Sequence, residues 1–60
     1  MEHLKVTLTH KETNHRDSDI VSPYNPAAKK EQANTLEKTI RDRNNWKKDE
    51  YKKTLQIIST

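Results

Sequence analysis

The segment His3 to Lys11, HLKVTLTHK, alternates without a break: Leu4, Val6, Leu8 and His10 fall on one side, and His3, Lys5, Thr7, Thr9 and Lys11 on the other. A period of two is the pattern of a half-buried β-strand with one wet face. Such a strand is unstable alone and must lay its apolar side on something else in the chain. The chain has sixty residues, enough for a single domain over residues 1–60 with a shallow core. Cysteine is absent, which removes disulfides and thiolate metal sites as sources of stability. A core this small points to self-association or an obligate partner.

After the strand, Glu12 to Asp19 (ETNHRDSD) holds no apolar residue and reads as a loop. Ile20-Val21 offers a short second strand, so residues 3–22 form a strand or hairpin region. Ser22-Pro23 and Asn25-Pro26 mark a turn, because a residue before proline is driven out of the helical region. Asn25 can cap a helix that starts at Pro26, and Asn34 with Glu37 three residues on is a second possible start. Residues 27–35 hold only alanine as apolar content and are expected to be exposed or frayed.

From Leu36 onward, Ile40, Trp46, Tyr51, Leu55, Ile57 and Ile58 fall within about half of a helical circumference. The expected fold is therefore α+β: an N-terminal strand or short hairpin packed on a long C-terminal amphipathic helix. The helical region is placed at residues 26–58. Asn44-Asn45 is its weak point, since both residues favour caps and turns over helix interiors.

Several chemistries are excluded or unsupported. Glycine is absent, so the glycine-rich loops that bring backbone against a phosphate cannot be built. His3, His10 and His15 share no metal-ligand spacing and read as solvated histidines. Asp17 and Asp19 lack the glycine and closing glutamate of a calcium loop. Ser18, Ser22 and Ser59 stand outside any nucleophile motif. The expectation is a protein that is not an enzyme, with no cofactor, no metal, no catalytic residue and no small-molecule substrate. No apolar run exceeds two residues, so neither a membrane span nor a signal-peptide core is expected. An intracellular, cytoplasmic location is the default.

What remains is binding. The first expectation is a protein partner or a second copy of the chain, docked on Trp46, Tyr51, Leu55 and Ile58, since aromatic residues are enriched among interface anchors. The alternative is a nucleic acid, suggested by a net charge of +3. On a continuous helix Arg41, Lys48 and Lys52 would form a cationic stripe able to follow phosphates. A short basic chain that opens with an alternating strand and continues into helices is similar in outline to the ribbon-helix-helix regulators. Their paired strands enter the DNA major groove, and the resemblance, which covers Leu4 to Thr9 and the element order, implies that Lys5, Thr7 and Thr9 face the bases.

Overall fold

The computed structural model describes all of residues 1–60. Three strands and one helix make up the fold: β1 (Glu2–His10), β2 (Arg16–Val21), α1 (Lys29–Asn44) and β3 (Tyr51–Ser59), with a 3₁₀ turn, Pro26–Ala28, leading into α1. The strands form one antiparallel sheet in the order β2-β1-β3. The alternating segment is thus the central strand, and its apolar side lies under α1. Leu4, Val6 and Leu8 are fully buried, and they pack with Ala33, Leu36, Ile40 and Tyr51.

This corrects the expected fold. There is no long C-terminal helix over 26–58: the helix is central, ends at Asn44, and is followed by a strand. Asn45 adopts a left-handed conformation, φ 59° and ψ 39°, which stops α1. In a chain without glycine, asparagine is the residue that enters this region at least cost. The turn that follows is closed by the Lys47 N–H donating to the Glu50 carboxylate at 2.7 Å and the Glu50 N–H donating to the Lys47 carbonyl at 3.0 Å. The chain then has no helix to rejoin and pairs along β1 instead.

A second correction concerns Glu12 to Asp19, expected to be all loop. Arg16 to Asp19 belong to β2. The carboxylates on the helix side of β2 replace apolar contact with ion pairs: Arg43 donates to Asp17 at 2.9 Å and approaches Asp19 at 3.9 Å. Asn44 donates to Asp17 at 2.7 Å. A strand can therefore form here without an apolar residue, because α1 supplies donors.

At the start of the helix, the Asn25 side chain accepts from the Ala27 N–H at 3.1 Å, with Pro26 beside it. The alanine-containing stretch is not frayed. Ala33 is buried on the same stripe as Leu36 and Ile40, at the i, i+3, i+7 spacing of one helical face. Its methyl group lets the first turns of α1 sit close to the sheet. No helix in the molecule is long and apolar enough to cross a membrane.

Candidate nucleic-acid interface

Directly opposed residues of an antiparallel pair point to the same side, so the register fixes what the sheet presents away from α1. Thr9 stands between Arg16 and Lys52, Thr7 between Ser18 and Thr54, and Lys5 between Ile20 and Gln56. His3 opposite Ile58 closes the far end. The helix-free face therefore carries Lys5, Arg16 and Lys52, a band of hydroxyls from Thr7, Thr9, Ser18 and Thr54, and no carboxylate. Asp17 and Asp19 lie on the other side of β2, beneath α1, where Arg43 and Asn44 engage them.

This segregation has a physical cause. The hydrogen bonds and charge of the Arg43 guanidinium, with the Asn44 amide, hold the Asp17 carboxyl below the usual carboxylate range, and Asp17 raises Arg43 in return. Glu37 on α1 is turned toward the N-terminal end of β3. It accepts from the Tyr51 hydroxyl, and Lys53 lies 3.0 Å away. Burial works to raise Glu37, but the bonds from Tyr51 and Lys53, with the charges of Lys53 and Arg41, bring it below its ordinary value. Tyr51 is pushed up by burial and by the carboxylate beside it. Asp17, Asp19 and Glu37 are thus held on the helix side, and no acidic side chain stands among Lys5, Arg16 and Lys52 on the other.

The residues expected to bind divide as follows. Lys5, Thr7 and Thr9 come together on the helix-free face, and Lys52 joins them from β3. Arg41 and Lys48 do not. They line one shallow depression beside Glu37 on the helix side, because Lys48 follows the helix in a turn and Lys52 has reversed into a strand. The three form no helical stripe. Arg16 and Thr54, absent from the expected set, complete the face. The alternation from Arg16 to Val21 was the available signal for Arg16, but only pairing with β1 assigns it a side.

The expected protein-docking residues are also dispersed. Tyr51 belongs to the core. Trp46 is half-buried, with its ring 5.3 Å from that of His10, 5.8 Å from that of His15 and 6.3 Å from that of Tyr51. Both aromatics cover the turn end of the sheet. Leu55 projects to the helix side of β3, and Ile58 to the opposite side.

His10 departs from a solvated histidine. It is buried, and its Nδ1 accepts from the Glu12 and Thr13 N–H groups at 3.3 and 3.4 Å. That assigns the proton to Nε2, which faces the Glu50 carboxylate at 4.0 Å. The ring closes the β1–β2 turn. No cluster of three or more His, Asp or Glu residues has the arrangement of a metal site. No protein-family model, curated protein or solved structure matches this chain.

Proposed function

We propose that this protein is a non-enzymatic, intracellular DNA-binding protein that seats the helix-free face of its sheet in the major groove of a duplex. The observation that carries the reading is the segregation of charge across the sheet, with Lys5, Arg16 and Lys52 on one side and Asp17 and Asp19 on the other. The major groove, about 12 Å wide, admits a two-stranded ribbon, so the central strand β1 would lead into it, with Arg16 and Lys52 on the flanking strands meeting the phosphates at its walls. In this arrangement Arg16 and Lys52 flank Thr9 at one end of the face and Lys5 lies toward the middle, all within reach of phosphates. Thr7, Thr9 and Thr54 are the short polar groups left to meet base edges. The face carries no Phe, Tyr or Trp, and its one ring, His3, stands at the far end bonded to Ser22 and Thr60, so stacking on successive unpaired bases, the usual grip on single strands, has no platform. That favours the duplex.

Fluorescence anisotropy with labelled duplex, measured against salt, tests the proposal. Changing Lys5, Arg16 and Lys52 together to Ala is expected to abolish most of the affinity and to flatten the plot of log affinity against log salt by about 0.9 for each phosphate no longer neutralised. Changing Arg41 and Lys48 to Ala is expected to matter far less. A wild-type protein that fails to bind duplex at low salt overturns the reading, as does a helix-side double variant that loses as much as the triple variant.

A further inference from the structure

We infer that the outer edge of β3 pairs with the same edge of a second copy, antiparallel and with Leu55 on the two-fold axis, to make one six-stranded sheet. β3 is at the border of the sheet, and its bonding pattern is fixed by the ends of its ladder with β1. Lys11 donates to the Glu50 carbonyl at 2.9 Å, and Met1 and Thr60 exchange bonds at 2.9 and 3.1 Å. Bonded and non-bonded rows alternate along an antiparallel pair. Lys52, Thr54, Gln56 and Ile58 therefore spend their backbone groups on β1, and those of Tyr51, Lys53, Leu55, Ile57 and Ser59 point outward.

This outward set is symmetric about Leu55. In an antiparallel pair centred there, Leu55 bonds Leu55 of the second copy, Lys53 bonds Ile57, and Tyr51 bonds Ser59, so every outward N–H and C=O finds a partner. Charge selects the same arrangement. Lys52 and Lys53 stand at one end of the strand and Ile57 and Ile58 at the other, so antiparallel pairing sets lysine against isoleucine, whereas parallel pairing would set lysine against lysine.

The side chains on the helix side agree. α1 lies over β1 and β2, leaving Leu55 38% and Ile57 43% exposed. Pairing through a two-fold axis perpendicular to the sheet places both helices on one side and joins the two Leu55/Ile57 rows into a single apolar strip between them. An edge nine residues long with neither proline nor bulge is otherwise a template for uncontrolled pairing. The two helix-free faces become continuous on the opposite side. The pairing does not depend on what those faces bind, because it uses the edge alone.

Sedimentation velocity over a wide concentration range, without DNA, tests the inference. Wild-type protein is expected to show a reversible monomer–dimer equilibrium. Ile57→Lys places a lysine against Lys53 of the second copy twice and is expected to weaken the dimer about 10-fold or more. Ile57→Glu loses the same apolar side chain but faces a lysine, already shared with Glu37, instead of repelling one, and is expected to weaken the dimer clearly less than Ile57→Lys. Leu55→Pro removes an outward N–H that β1 does not use, and should give a folded monomer by circular dichroism. A wild-type monomer at every concentration overturns the inference. So does equal weakening by Lys and Glu, which would mean that residue 57 does not face Lys53, and so does a dimer that survives in Leu55→Pro.

Discussion

Ile40 carries much of the packing between α1 and the sheet, and its truncation gives a measurable check on that packing. The side chain is fully buried among Leu4, Val6, Leu8 and Leu36. Ile40→Ala removes buried methylene and methyl groups and leaves a cavity, at a cost of about 2–5 kcal/mol. A domain of this length has a total stability of about 3–9 kcal/mol, taking roughly 0.05–0.15 kcal/mol per residue. A loss near 3 kcal/mol, within that range, therefore removes from about a third of the stability to all of it. With each kcal/mol worth about 4–8 °C in a domain of this size, a loss near 3 kcal/mol lowers the thermal midpoint by about 12–24 °C. Ile20 is the internal control. The same change is made on the helix-free side of β2, where the residue is half exposed, so the cost should stay below about 1 kcal/mol. Both variants are to be melted by circular dichroism at one fixed protein concentration, because association would shift the midpoint by mass action. Equal midpoints for Ile40→Ala and Ile20→Ala would refute the placement of α1 on β1.

Other outcomes follow from the same framework of bonds and burial. Gln56→Pro should lower the thermal midpoint more than Leu55→Pro at a concentration where both are monomeric, since only the first deletes an N–H bonded to β1; the reverse order would mean that the ladder is offset by one residue. Asp17 and Glu37 have folded pKa values below their ordinary ones. Their contribution is present above the unfolded values, near 4, and is lost as pH falls through the folded ones. The melting midpoint should therefore drop in acid, and Asp17→Asn should reduce that drop. Tyr51 has a raised folded pKa, so its contribution holds below the unfolded value, about 10, and disappears as pH rises through the folded one. Tyr51→Phe should lack that alkaline step in a pH series of thermal melts.

The elements differ in how plainly the residues announce them. β1 is legible because one face is wholly buried and the other wet, which forces strict alternation. The start of the helix is legible at Asn25-Pro26 for a local reason, a side-chain cap and a preset φ, and Asn44-Asn45 marks its end by the same kind of local chemistry. β3 is hidden because it buries little: Tyr51 is its one core residue, and Tyr51, Leu55 and Ile58 happen to be spaced as a helix would space them. Its content of Tyr, Thr and Ile favours a strand, but an edge with two wet faces has no periodicity to display. β2 is hidden because Asp17 and Asp19 take the positions where apolar residues would have stood, and their partners lie on α1. The candidate face is half legible for the same reason. Lys5, Thr7 and Thr9 share a side by alternation within one strand, whereas Arg16 and Thr54 join them only through pairing between strands distant in the chain.

The position of β1 in the middle of the sheet has a consequence for how the molecule is made. β1 acquires its second neighbour only when β3, the far end of the sheet in chain order, has emerged, with β2 and α1 formed in between. Until then the nascent chain holds a β1–β2 hairpin whose open side is the long edge that Tyr51 to Ser59 will occupy. Pairing between such distant segments slows folding relative to local hairpin and helix formation. On the ribosome these elements should therefore remain protease-sensitive until Tyr51 to Ser59 are outside the exit tunnel, and then close in a single late step.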